Sequence, residues 1–363
     1  MAATGFIKAI GMALKIEENV SLKTYSTMRV GGVAKYLARV SLKNDLVEAA
    51  EFAKDKGLSI FILGRGANVM FKDSGFDGLV IVNDIRGFEV IEENDEGATI
   101  KIGAGEDWDK TVLKTVEMGL SGMEALSLIP GTVGAAPVMN IGAYGQEVAE
   151  IIESVTAYDL RENKFAVLGK ENGGFQYRAS RFSGEDKGRF IIADVTFKFH
   201  RNRMKPPFYR DVEKYFEDNG VTDYSPQAVR DAVIYIRTNK LPDPNKIATN
   251  GSFFKNPVIG KEKWEELVKK FPELDTAEPQ WPQKPRWFLD NGTVKIAAAR
   301  LIELAGLEGY EEGGVSLWPT QHLTVVNKDA KSAGDVLAFK DKIKAGVKEK
   351  FGIDLEEEVQ VVG

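Results

Sequence analysis

The sequence predicts an α+β fold, on three observations. Strand-like segments crowd the stretch from about 58 to 200, and helices and strands then mix with few regular βαβ units. The glycine pair Gly64 and Gly66 follows an apolar strand but lacks the third glycine and the helix of a dinucleotide fingerprint, which disfavours a doubly wound sheet. With 363 residues, 43% of them hydrophobic, the chain can bury a large core and suggests two or three domains.

The elements follow in order. "NDLVEAAEFAKDK" at 44–56 spaces its apolar residues as a helix does, ends at a glycine, and feeds the continuous apolar strand "LSIFILG" at 58–64. "LVIVND", "FEVIEE" and "ATIKIGAG" read as sheet strands joined by turns, and "DWDKTVLKTVEMG" returns to helix. "EIIESVTAYDL" and "RFIIADVTFKFH" are strands flanking "GFQYRASRF". The composition breaks at "RNRMKPPFYRD", which sets a domain boundary between about 200 and 245. Beyond it, "QAVRDAVIYIRTNK", "KEKWEELVKKF", "VKIAAARLIELAG" and "AGDVLAFKDKIKAGVKEKF" read as helices, with "HLTVVN" and "LEEEVQVV" as strands.

Composition narrows the chemistry. There is no cysteine, which excludes disulfides, thiolate nucleophiles and cysteine metal sites. His200 and His322 are the only histidines, too few for a histidine metal cage and poor material for a Ser/His/Asp triad, so no metal is expected. The net charge of −6, with acids and bases mixed along the chain, argues against a nucleic-acid surface. An anionic ligand must be met by local lysine and arginine. The start, "MAATGFIKAIGMALKIEENVSLK", is too short and too charged to span a membrane and reads as an extension, with a weak amphipathic helix as the alternative. A cytoplasmic location fits the absence of cysteine.

Two glycine-rich segments draw attention. In "FILGRGANVMF" bare backbone lets amide groups approach a pyrophosphate, although an ordinary strand-ending turn explains an isolated pair as well. "SLIPGTVGAAPVMNIGAYG" at 127–145 has no helical or strand period; converging with the first loop it could wrap a large flat cofactor, and a tightly turned structural loop is the alternative. Arg178 in "YRASRF" offers a planar fork to a carboxylate or makes a surface ion pair. In "DLEEEVQVV" strand alternation sends Glu356 and Glu358 to the face opposite Glu357, so one face of that strand can hold a buried acid. "PPFYRD" and "NKLPDPNK", taken alone, read as linker packing around Tyr209, Lys240 and Lys246. "NGSFFKNP" at 250–257 sets Ser252 between a glycine and two phenylalanines with no base beside it in sequence.

Taken together, "RVGG", "ILGRGANV", "IPGTVGAAPVMNIGAYG", "YRASRF", "NKLPDP", "GSFFKNP" and "LEEEVQV" resemble, in order, the UDP-N-acetylenolpyruvoylglucosamine reductase family from about Leu22 to the end. The resemblance implies an FAD-binding fold of two subdomains, of the vanillyl-alcohol-oxidase type, plus a C-terminal α+β substrate-binding domain. The division it implies is an extension at 1–20, flavin subdomains at 21–85 and 86–240, and a substrate domain at 241–350, with the strand at 351–363 returning to the active site. It also implies a flavoprotein oxidoreductase of peptidoglycan precursor synthesis, and so of cell-wall biogenesis, cell shape and cell division. FAD is expected to be non-covalent, NADPH to be the hydride donor, the partners to be a nucleotide sugar and NADPH, and the protein to be a monomer.

The expected reaction reduces UDP-N-acetylglucosamine enolpyruvate to UDP-N-acetylmuramate. Hydride goes from flavin N5 to C3, and the strongly basic carbon C2 then takes a proton from Ser252, which explains a serine that has no activating base. By the same resemblance Arg178 and Glu358 hold the substrate carboxylate, and Glu358 must be buried, since an ionised neighbour would repel the developing charge. The flavin is expected at Ile62, Gly64, Arg65, Gly66, Ala67, Asn68 and Val69, and at Pro130, Gly131, Thr132, Gly134, Ala135, Ile141 and Gly142. Tyr209, on a loop closing over the nucleotide sugar, together with Lys240, Asn256 and Gln321, is expected at the substrate. Gln360 stands where many relatives carry arginine. An FAD-dependent alcohol or sugar oxidase of the same broad fold is the alternative, with no histidine or cysteine in place to attach a flavin.

Overall fold

The structure, a computed structural model, describes residues 14–277 and 284–363. The first part of the expected extension, residues 1–13, lies outside the described residues. Its remainder is not an extension: Ile16–Ser21 is the edge strand of the first sheet, antiparallel to Val33–Val40.

That sheet has four strands, in the order Ile16–Ser21, Val33–Val40, Phe76–Asn83 and Ser59–Leu63, the last three parallel. Parallel neighbours need a crossover, and helix Lys43–Asp55 supplies it, burying Leu46, Ala49, Ala50 and Ala53. A second sheet of five antiparallel strands has the order Lys164–Gly169, Ile152–Asp159, Phe190–His200, Gly97–Gly103 and Phe88–Glu93. Phe190–His200 is central and nearly wholly buried, as its continuous apolar run demands. Tyr158, Ile191 and Ala193 from this sheet join Ala38, Leu79 and Ile81 of the first in one core, so the two sheets pack as a unit.

Helices Arg210–Asp218 and Pro226–Lys240 follow the composition break. They are not a loose linker: Val212, Phe216, Val229, Ala232 and Val233 bury their own small core against Ala125. Ser225 caps the second helix through the Ala228 N–H, and Pro226 takes the first helical position, where no donor is lost.

The last part has a four-stranded sheet, Ala248–Ser252, Gln321–Asn327, Val315–Trp318 and Glu311–Glu312, and a small one, Val258–Gly260, Thr293–Ile296 and Arg286–Phe288. Helix Ala333–Phe351 buries Val336, Phe339, Ile343 and Val347 against it, begins at a Ser332/Asp335 capping box and ends at left-handed Gly352. The helix expected across "VKIAAARLIELAG" is shorter: Thr293–Ile296 is a strand and helix starts only at Ala298. β-Branched Thr293, Val294 and Ile296 suit a strand, and Asn256 Oδ1 accepts the Ala298 N–H at 3.0 Å, starting the helix there. The closing strand is also shorter than expected, Gln360–Val362, and pairs in parallel with Val69–Phe71 of the first glycine segment.

Candidate active site

The two glycine segments meet. Asp107 bridges Thr132, with the Val133 N–H donating to Glu106 O (2.9 Å) and the Trp108 N–H to Gly131 O (3.2 Å). Gly64 lies directly against Thr132: a Cβ on Gly64 would stand 2.6 Å from Thr132 Oγ1. Gly66 has φ of 65° and passes so close to Tyr25 O that a Cβ would come within 1.9 Å of it, so glycine is required twice over. No acceptor among the described residues takes the N–H groups of Arg65, Gly66, Ala67 or Asn68. Next to them a cavity of about 290 Å³ is lined by Arg39, Arg65, Arg86 and Lys110 against Asp84 and Asp107, a local excess of positive charge in an acidic chain. Free backbone donors, glycine-only approaches and local cations are what a dinucleotide with a pyrophosphate needs, so these residues fit such a group.

Ser252 ends the strand Ala248–Ser252, and a bulge sets its direction. Thr249 pairs with Val326 and Ser252 with Thr324, so one residue is extra on this strand, absorbed where Gly251 takes φ of 72°. The half-buried Ser252 hydroxyl has no hydrogen-bond partner among the described residues. The chain then runs antiparallel to the C-terminal segment: Phe254 bridges Glu357, Glu358 N–H donates to Phe253 O at 2.9 Å and Lys255 N–H to Glu356 O at 2.9 Å. Ser252 is therefore one residue from the carbonyl that anchors Glu358.

Arg178 arrives from the other side, from the loop between Lys164–Gly169 and Phe190–His200. Its Nε lies 3.4 Å from Glu358 Oε1, and its guanidinium also donates to Gly142 O of the second glycine segment. A φ of 52° is costly for a residue with a side chain, and here it holds the guanidinium against both segments. Burial pushes the Glu358 carboxyl above the usual carboxylate range, opposed by Arg178 and Lys255. Glu358 is half-buried rather than sealed, its side chain 23% exposed, because it lines an open cavity of about 640 Å³ with Arg178, Lys255 and Gln360. Glu357 lines the same cavity but is already paired: burial alone would raise its pKa, and Lys344 (2.8 Å) and Lys340 (3.0 Å) hold it down at about 2.

The remaining expected residues fall into two groups. Asn256 is half-buried, tied to the start of helix Ala298–Ile302, and Gln321 opens the strand paired with Ser252's own. Tyr209 and Lys240 belong to the helix pair: Tyr209, 45% exposed, packs edge-on against Tyr144 of the second glycine segment, and Lys240 lies 3.5 Å from Asp211. Of the flavin set, Ala67 and Thr132 are buried, Ile62, Gly131 and Gly134 half-buried, and Pro130 and Ala135 exposed. Asn68 Nδ2 donates to Glu358 O at 3.0 Å and Asn68 O accepts the Gln360 N–H, so Asn68 and Val69 tie the first loop to the C-terminal strand. Ile141 O accepts the Val148 N–H, beside Gly142.

A family model described as FAD binding domain matches residues 34–162, and one described as UDP-N-acetylenolpyruvoylglucosamine reductase, C-terminal domain, matches 243–362. The UDP-N-acetylenolpyruvoylglucosamine reductase of Amoebophilus asiaticus is 36% identical over 350 residues, covering 96% of this chain and all of that one (100%). The chain belongs to the UDP-N-acetylenolpyruvoylglucosamine reductase family. The reductase of Neisseria gonorrhoeae is 38% identical over 349 residues, 94% of this chain and 96% of the relative. The crystal structure of the Thermus caldophilus reductase superposes with a TM-score of 0.65 at 25% identity, covering 96% of this chain and 100% of that one. The fold is thus α+β, an FAD-binding domain joined to the C-terminal domain of this family, and the protein is an FAD-dependent oxidoreductase.

One structural residue escaped the sequence reading. Asn250, 5% exposed, stands two positions before Ser252 and aims its amide nitrogen into the first glycine loop, at Thr27 Oγ1 (3.0 Å) and at the carbonyls of Gly66, Ala67 and Val69 (each 3.2 Å). It locks the strand carrying Ser252 to the loop carrying the free N–H groups. Only the motif "NGS" marks it in the sequence, and there the asparagine reads as part of a turn.

Proposed function

We propose that this chain catalyses the NADPH-dependent, FAD-mediated reduction of UDP-N-acetylglucosamine enolpyruvate to UDP-N-acetylmuramate, with Ser252 as proton donor. When bound, the flavin supplies the two-electron chemistry, accepting hydride from NADPH and passing it to C3 of the enolpyruvyl group. The chain's residues do the rest. The free N–H groups at 65–68 and the cations near Arg65 hold the cofactor's anionic part, and Thr132 and Gly142 bound its other side. Ser252 gives its hydroxyl proton to C2, where the displaced electron pair makes carbon strongly basic, so no nucleophile-activating base is needed. Arg178 faces the substrate carboxylate as negative charge spreads onto it, and Glu358, whose carboxyl burial pushes above the usual range, donates a hydrogen bond beside it in its protonated form. Tyr209 closes over the nucleotide sugar, Lys240 neutralises diphosphate charge, and Asn256 and Gln321 contact the substrate.

The observation that supports this reading best is the joining of three segments distant in sequence, with Arg178 Nε 3.4 Å from Glu358 Oε1 and Glu358 bonded to the carbonyl next to Ser252. The same reading puts the chain in the cytoplasm as a monomer. Among the described residues no helix is long and apolar enough to cross a membrane. The test is to purify the protein, record the flavin spectrum and follow NADPH oxidation with and without the enolpyruvyl nucleotide sugar. Oxidation that depends on the nucleotide sugar and yields UDP-N-acetylmuramate is expected; oxygen uptake with an alcohol and no response to the nucleotide sugar would overturn the reading.

A further inference from the structure

Lys295 sits on the central strand of the small sheet, opposite both Val258 and Trp287. Its ammonium nitrogen is 4.5 Å from the centroid of the Tyr177 ring and 5.1 Å from that of Trp287. The guanidinium of Arg178 is 5.1 Å from the same Tyr177 centroid. Two cations from segments far apart in sequence therefore meet one aromatic ring, but their partners differ. Arg178 has Glu358 and the Gly142 carbonyl. Lys295 has no carboxylate within ion-pair distance among the described residues. The acid that acts on it electrostatically, Glu147, already accepts from Asn140 Nδ2 at 2.8 Å.

A half-buried ammonium without a counter-ion, beside a second cation, is unfavourable unless an anion joins them, and ring faces offset only part of that cost. Burial, with Arg178 adding to it, accordingly pushes the Lys295 ammonium below the usual lysine range. We propose that Lys295 is a second cation for the substrate carboxylate, joining Arg178 beside the Tyr177 ring to bind the enolpyruvyl acid. The inference rests on the activity proposed above. It assigns the carboxylate rather than the diphosphate, because Lys295 shares its ring with Arg178, whereas Lys240, assigned to the diphosphate, pairs with Asp211 on the helix pair.

The experiment titrates the oxidised, FAD-loaded enzyme and follows the flavin absorbance, with two ligands. One is the enolpyruvyl nucleotide sugar; the other is UDP-N-acetylglucosamine, which shares the uridine, diphosphate and sugar but has no carboxylate. Losing a charge-assisted bond to the carboxylate should weaken the first ligand about tenfold to a hundredfold in Lys295→Met. UDP-N-acetylglucosamine should change by less than about threefold, and Lys295→Arg, which keeps the cation, should hold the enolpyruvyl ligand within about tenfold of wild type. An equal loss for both ligands, or no loss for either in Lys295→Met, overturns the assignment. So does an Arg variant as weak as the Met variant. Failure of the wild type to bind the enolpyruvyl nucleotide sugar would overturn the proposed activity, and this inference with it.

Discussion

Asn250→Ala tests how the proton-donor strand is tied to the cofactor loop. The amide of Asn250 has two N–H groups and four oxygens within reach, at 3.0 to 3.2 Å. Only two strong bonds are available at once, worth ~1 kcal/mol each, and their loss leaves the Ala67 carbonyl without a donor, while Gly66 O keeps the Thr27 N–H and Val69 O keeps the Ser26 hydroxyl, which brings the expected cost to about 2 to 4 kcal/mol. The opposite atom, Oδ1, has no partner among the described residues, so its removal forfeits nothing. Urea unfolding of the apoprotein should show this loss at unchanged m-value. Because the loop carries the free N–H groups, FAD titration should also show affinity reduced by about tenfold or more, one decade for each 1.4 kcal/mol felt in the bound state. Asn250→Asp should be worse than Ala, since a carboxylate would face the three carbonyls. An Ala variant within ~0.5 kcal/mol of wild type with unchanged FAD affinity, or an Asp variant more stable than Ala, would refute the reasoning.

Two further predictions concern carboxylates. Glu358 has a raised pKa, so it is neutral at low pH and ionises as pH rises through that value; kcat/KM for the nucleotide sugar should fall along this limb. Glu358→Gln, which keeps a donor and cannot ionise, should retain activity within about a hundredfold and lose the limb; an unchanged pH profile in the variant would contradict the role. Asp159, buried and bonded by Arg189 Nη2 at 2.7 Å, is held down at about 2. Its contribution is present above the ordinary aspartate range and is lost as pH falls through about 2, so stability in acid should decline across that window. Asp159→Asn should be less stable than wild type at neutral pH, with the difference narrowing towards about pH 2; a constant difference in denaturant midpoints from neutral pH to pH 2 would count against it.

Elements whose signal is local were legible. The helix at Ala333–Phe351 has its capping box, apolar spacing and terminal glycine all in the sequence, and the strand Phe190–His200 has its apolar run. The glycine segments were legible as backbone that must come close to something, but whether that was a ligand or a turn depended on their meeting at Gly64 and Thr132, which spacing does not encode. "VKIAAARLIELAG" misled because a short apolar run fits strand and helix alike, and the decision came from Asn256, far along the chain. The extension misled for a similar reason: Ile16–Ser21 becomes a strand only because Val33–Val40 offers an edge. Ser252, Arg178 and Glu358 were marked by motif, yet Asn250 and Lys295 were not, since each matters through groups it meets from elsewhere in the chain. The Tyr209 and Lys240 segment read as linker because its core is closed by Ala125, much earlier in the chain.

The central claim is that a serine hydroxyl protonates carbon after the cofactor has been reduced, and rapid mixing of Ser252→Ala separates the two half-reactions. Flavin bleaching by NADPH is expected at a rate close to wild type, with reoxidation by the enolpyruvyl nucleotide sugar slowed by about 10² to 10⁴ or more. Equal slowing of both half-reactions, or reoxidation at the wild-type rate, would contradict it.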